Sequence, residues 1–226
     1  MIKFENIAKD YNGLSALSDI NLKIEEGEFI FLVGPSGAGK TTLIKLLIRE
    51  QLPTVGEIYY HDWEVTKLSP RQLPELRREI GVVFQDFKLL PRKTALENIH
   101  FVLDVVGRGL EEQEELSPEI LRLVDLQDQQ GHFPGQLSGG EKQRLAIARA
   151  LAAEPKVLIA DEPTGMIDPA SGWNVLNLLR KINELGTTVI MATHDAAIVD
   201  TLKQRVVELD KGKIIRDQKE GEYASS

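Results

Sequence analysis

The chain has 226 residues, 42% hydrophobic and 27% charged, and a net charge of −8. That size supports one domain with room for a small subdomain. The missing cysteine rules out disulfides and thiolate metal sites, and the acidic balance argues against a nucleic-acid binder relying on bulk charge, which needs clustered Lys and Arg.

The first six residues carry no apolar core of the kind a signal peptide needs. No stretch approaches the ~18 apolar residues that cross a bilayer, so any work at a membrane is expected to go through docking onto another protein. Residues 1–33 contain alternating, strand-like pieces around Gly13 and Gly27. The last of them, Phe29-Ile30-Phe31-Leu32-Val33, reads as a buried strand.

That strand feeds Gly34-Pro35-Ser36-Gly37-Ala38-Gly39-Lys40-Thr41, a fit to G-x-x-x-x-G-K-[ST]. Glycines let the backbone curl so that successive N–H groups form an anion nest. Lys40 adds a mobile positive charge for terminal phosphates, and the Thr41 hydroxyl suits Mg²⁺. Leu43, Ile44, Leu46 and Leu47 then repeat at helical spacing. Strand, glycine loop and helix together aim a helix N-terminus at a phosphate.

Residues 55–60 and 80–84 read as further strands. Residues 90–150 become mostly helical, and the acidic stretch 111–115 is expected to be a solvated face. Within it, Leu137-Ser138-Gly139-Gly140-Glu141 opens an amphipathic helix carrying Leu145, Ala148 and Leu151. Ser138-x-x-Glu141 is a capping box. A serine-capped helix start with bare glycines is also an anion site.

From 156 the strand pattern returns. Val157-Leu158-Ile159-Ala160 ends on Asp161-Glu162, before Pro163 and Gly165. A carboxylate at the end of a parallel strand sits where ligands bind in open α/β sheets. Asp161 is therefore placed to hold Mg²⁺, and Glu162 to act as a general base toward water. A helical pattern spans Val175 to Ile182, and Thr188-Val189-Ile190-Met191-Ala192 is another buried strand. Alternating strands and helices predict an α/β core. The tail, 222–226, is expected to fray.

The phosphate loop, Leu-Ser-Gly-Gly-Glu and Asp161-Glu162, in this order and spacing, resemble the nucleotide-binding subunit of an ABC ATPase over essentially the whole chain. Leu-Ser-Gly-Gly-Glu is the specific element, separating this family from other phosphate-loop enzymes. The resemblance implies a RecA-like P-loop core over 1–88 and 151–226, an N-terminal antiparallel β subdomain, and an inserted helical subdomain over 89–150. It implies ATP and Mg²⁺ as ligands, with 34–41 and Thr42 on the nucleotide. Tyr11 matches the aromatic that stacks on adenine. Gln85 matches the glutamine that touches Mg²⁺ or the attacking water. His194 matches the switch histidine at the γ-phosphate, and Asp168 the loop that reaches across a dimer. His61, His100 and His132 are assigned no chemistry.

In the family two copies pack head to tail. The phosphate loop of one faces Ser138, Gly139, Gly140 and Glu141 of the other, with ATP between. Within the family, the runs 29–40, 44–47, 80–91, 191–195 and 212–217 look like the cell-division branch. Its members pair with an integral membrane protein at the cytoplasmic face of the inner membrane and control cell-wall hydrolases. Phe87, Leu89, Leu90 and Pro91 lie where that partner should dock. Met166-Ile167 departs from the usual Asn-Leu, removing a polar group near the dimer seam. The alternative reading is the ATPase of a lipoprotein-releasing or macrolide-type exporter. A DNA-repair ATPase would need coiled-coil insertions or basic surfaces, and no nucleic acid partner is expected. A non-hydrolysing scaffold sits poorly with Glu162 and His194.

Overall fold

The computed structural model describes residues 1–221 and Tyr223. The expectation for the tail therefore lies, apart from Tyr223, outside the described residues. The chain divides into two compact units, residues 1–77 with 186–226 and residues 78–185.

The first unit holds two sheets. β1 (Ile2–Tyr11), β2 (Leu14–Ile24), β4 (Val55–Tyr60) and β5 (Trp63–Glu64) form an antiparallel sheet in the order β2-β1-β4-β5. Ile2 pairs with Ile24 and with Tyr60, and Phe4 with Leu22 and with Ile58. Those partners are all buried. In β2, Ile20, Leu22 and Ile24 are buried while Asn21 and Lys23 are exposed, the period of two that fixes register.

The other sheet contains β3 (Phe29–Val33), parallel to β8 (Thr188–Ala192) and to β9 (Arg205–Asp210). β10 (Lys213–Gln218) closes it antiparallel to β9. Every residue of β3 and β8 is buried, which explains their continuous apolar runs. α1 (Lys40–Leu47) leaves the phosphate loop and buries Leu43, Ile44, Leu46 and Leu47. α7 (Ala196–Leu202) follows β8, and α2 (Leu73–Glu79) lies where the chain passes to the second unit.

The second unit pairs β6 (Ile80–Val83) in parallel with β7 (Val157–Asp161). Its helices are α3 (Ala95–Val105), α4 (Leu110–Leu123), α5 (Gly139–Leu151) and α6 (Pro169–Glu184). Glu111, Glu112, Glu114 and Glu115 are exposed on α4, while Gln113 between them is buried and donates to the carbonyl of Arg108. α5 packs on β6 so closely that a Cβ on Gly81 would lie 2.9 Å from the Ala150 carbonyl oxygen. Among the described residues, no helix is long and apolar enough to cross a membrane.

Candidate functional site

In the first unit, the buried β3 delivers the chain at Val33 into the loop. Gly34 adopts φ +137, and a Cβ there would lie 2.1 Å from the Leu209 carbonyl oxygen. Gly39, at φ +111, caps α1, and its Cβ would meet Leu17 at 2.6 Å. Only glycine fits at either place. The loop is stitched by Ala38 N–H to the Pro35 carbonyl at 3.1 Å. The Ala38 carbonyl accepts from Gly212 N–H at 3.1 Å, and the Gly212 carbonyl accepts from Ser18 N–H at 2.8 Å. This brace from the β9–β10 turn is a feature of the site that motif reading passes over, because no residue in it carries chemistry.

α1 begins with no side-chain cap and no acid in its first turn. The helix dipole at this end favours an anion. Lys40 is 7% exposed, and its Nζ donates to the carbonyls of Gly34 at 2.7 Å and Pro35 at 3.2 Å. The ammonium therefore spans the loop mouth. Pro35, Ser36, Gly37 and Thr41 face solvent, and Thr42 is half-buried. The cradle fits a polyphosphate.

Also in this unit, Tyr11 ends β1 with 39% exposure. Its hydroxyl donates to Gln51, and the Lys9 ammonium lies 5.0 Å from the ring centroid. The ring is an amphipathic platform whose face already meets a cation. His194 is exposed between Thr193, whose N–H donates to the Leu32 carbonyl, and Asp195, which caps α7.

In the second unit, Asp161 is the last residue of β7 and is half-buried. Glu162 follows at φ +50, and its carbonyl accepts from Gly165 N–H at 3.1 Å. A left-handed non-glycine residue costs roughly 1–2 kcal/mol, and such strain concentrates where a side chain must be aimed. Gln85 reaches the same turn: a Cβ on Gly165 would lie 3.5 Å from both Gln85 Nε2 and the Glu162 carbonyl oxygen.

Ser138 caps α5 in the expected box. Its oxygen accepts from Glu141 N–H at 3.3 Å, and Glu141 accepts from Ser138 N–H at 2.7 Å. That backbone hydrogen bond is the main reason the Glu141 carboxyl titrates below its usual range. Asp168 caps α6, accepting from Ser171 N–H at 3.0 Å, ahead of Pro169. The hydrogen bonds from Ser171 likewise lower its pKa. The two helix starts meet: a Cβ on Gly140 would lie 2.6 Å from Ser171 Oγ, and one on Gly139 3.3 Å from the Met166 carbonyl oxygen. Met166 itself is 57% exposed. Gln85, Glu162 and Gly165 thus form one cluster, and Ser138–Glu141, Met166 and Asp168–Ser171 another.

Phe87, Leu89 and Leu90 are half-buried and Pro91 is exposed. Asn98, fully buried, pins this segment. Its side chain accepts from Leu90 N–H at 2.9 Å and donates to the carbonyls of Leu90, Lys93 and Thr94.

Among the described residues, no three His, Cys, Asp or Glu side chains are grouped to hold a metal by themselves. Mg²⁺ is ordinarily held by one or two carboxylates with substrate phosphates, and a carboxylate such as Asp161 is a donor of that kind.

The family described as ABC transporter matches residues 17–165. The chain is 48% identical to the cell division ATP-binding protein FtsE of Mycobacterium tuberculosis, over 99% of this chain and 98% of that one. It is also 48% identical to FtsE of Bacillus subtilis, over 100% and 99%. Among solved structures, the ATP-binding cassette MJ0796, described as a dimer in a post-hydrolysis state bound to ADP and Pi, superposes with a TM-score of 0.89. That match has 37% identity and covers 98% of this chain and 99% of the other. The chain belongs to the ABC transporter family, as an ATP-hydrolysing subunit of the FtsE group.

Proposed function

We propose that this ATPase closes into a head-to-tail dimer on ATP and drives a membrane protein of the FtsX type, at the cytoplasmic face of the inner membrane, to regulate cell-wall hydrolysis during division. The observation that carries the reading is a built phosphate cradle in a chain 48% identical to FtsE proteins along its length.

The roles follow from the chemistry. The loop 34–41 donates backbone N–H groups to the phosphates, and Lys40 moves from the loop carbonyls onto the terminal ones. Thr42 continues that first helical turn. Thr41, Gln85 and Asp161 would hold Mg²⁺, which when bound draws charge off the phosphates. The Tyr11 ring stacks on adenine. Glu162 takes a proton from water as its oxygen attacks the γ-phosphorus, and ADP departs. His194 hydrogen-bonds the γ-phosphate. Ser138, Gly139 and Gly140 on a second copy bring a helix N-terminus to the same phosphate, with Glu141 holding that turn and Asp168 bordering the seam.

The test is affinity capture of Glu162→Gln protein with ATP from detergent-solubilised membranes of its source. Recovery of a four-span membrane protein with an external domain, together with division proteins, supports the reading. Recovery of an exporter permease with its periplasmic components replaces the division role and leaves the ATPase chemistry in place.

A further inference from the structure

Two residues after Gln85, the backbone does something costly. Phe87 and Lys88 sit consecutively in the left-handed region, at φ +60 and +50. Neither is a glycine, and the side chain of Lys88 is exposed. Local hydrogen bonds help: Phe87 N–H donates to the Phe84 carbonyl at 3.0 Å, and Lys88 N–H to the Asp86 carbonyl at 2.6 Å. They use the N–H groups of Phe87 and Lys88, not their carbonyls.

Arg149 meets both. Its Nη1 donates to the Lys88 carbonyl and its Nη2 to the Phe87 carbonyl at 3.1 Å. The guanidinium is half-buried, and burial alone lowers its basicity. Among the described residues no carboxylate pairs with it. A desolvated cation satisfied only by carbonyls is an expensive way to fill space, and apolar residues generally pack such a place better. The planar fork does what an apolar residue cannot: it fixes two successive carbonyls at once.

Arg149 lies on α5, eleven residues after Ser138, or about 16 Å along the helix axis. The helix that presents the Ser138 anion site at its start therefore grips, near its end, the loop that follows Gln85.

We propose that Arg149 is a positioning residue for ATP hydrolysis, holding residues 87 and 88 left-handed so that Gln85 is aimed and the loop is tied to α5. The proposal rests on the ATPase reading and on the role given there to Gln85.

The experiment compares full-length wild type, Arg149→Ala, Arg149→Lys and Gln85→Ala. It measures kcat and KM for ATP with Mg²⁺, Tm, and amide hydrogen exchange over residues 85–91. Arg149→Ala is expected to lower kcat by about 10- to 100-fold, the scale of a small misplacement of a catalytic group. KM should stay within about twofold and exchange over 85–91 should rise. Arg149→Lys should fail to restore kcat, since a shorter side chain ending in a freely rotating ammonium lacks the fixed planar fork that reaches both carbonyls here. About 10 mM guanidinium, far below denaturing levels, should restore part of the turnover of Arg149→Ala and none of that of Gln85→Ala. Unchanged exchange over 85–91 in Arg149→Ala overturns the proposal, whatever the turnover. So does a kcat loss that guanidinium does not rescue. Exchange that rises while wild type itself fails to hydrolyse ATP supports the clamp and defeats the ATPase reading instead.

Discussion

The loop 34–41 and the segment 85–91 both leave the right-handed region of backbone space, and they do it by opposite means. The first uses glycines where a Cβ would strike Leu209 or Leu17. The missing Cβ admits that shape, and backbone hydrogen bonds from Ala38 and Gly212 hold it. The second uses Phe87 and Lys88, which pay for the conformation with hydrogen bonds from Arg149. Its shape is conditional on a contact. Glu162, at φ +50 beside Gln85, is likewise left-handed without being glycine. A phosphate loop shaped by its glycines thus coexists with a segment whose geometry leans on one arginine side chain.

The largest expected effect separates binding from turnover. Glu162→Gln should keep ATP affinity and slow hydrolysis about 10²–10⁴-fold, the usual worth of a general base. It should also accumulate an ATP-held dimer on size exclusion. Turnover at the wild-type rate would remove Glu162 from the role.

Next, Gly34→Ala tests whether excluded volume rules the phosphate loop. Both φ +137 and the 2.1 Å approach to Leu209 oppose a methyl group. Stability in urea should fall by about 3 kcal/mol. ATP affinity by calorimetry should drop by about 100-fold, since the same strain opens the cradle. An unaltered affinity would place this loop with the conditional kind.

Ser138→Ala removes a capping acceptor that α5 uses at its start. Urea denaturation should report a loss of about 1 kcal/mol. A much larger loss would mean that α5 depends on its cap as fully as residues 87 and 88 depend on Arg149.

The smallest effect is a pH dependence. The Glu141 carboxyl titrates below its ordinary value of 4.5 in the folded chain, chiefly through the Ser138 N–H. Its stabilisation is therefore complete above about pH 4.5 and is lost as pH falls through the lower, folded value. The group is partly solvated, so the contribution is a few tenths of a kcal/mol. Glu141→Gln should be less stable than wild type at pH 7, and the gap should close toward pH 3. A gap that widens with acid would contradict the direction of the shift.

The contrast also explains what was legible beforehand. The phosphate loop could be read from its letters because glycine spacing and a neighbouring apolar strand are local properties. The Ser138 cap was legible for the same reason, since a cap and the N–H that donates to it lie within three residues. Strand ends came out within a residue: β7 runs to Asp161 rather than Ala160, and β6 stops at Val83. The Arg149 clamp was not legible. An arginine in an otherwise apolar helical run reads as a solvated side chain, and its targets lie more than sixty positions away. Left-handed Phe87 and Lys88 are invisible to propensity, because tertiary contact sets their conformation. Asn98, which pins the next stretch, is hidden likewise: nothing in its neighbours announces four backbone partners.

The brace on the phosphate loop has a consequence for how the chain comes into being. Ala38 is held by Gly212, and Gly212 by Ser18, while β3 pairs with β8 and β9. The loop's shape depends on residues made some 170 positions later. Such long-range closure is slow compared with local helix formation. During synthesis the nucleotide site is among the last things to assemble, well after its signature letters have left the ribosome. A partly made chain carries the motif without the brace that holds it.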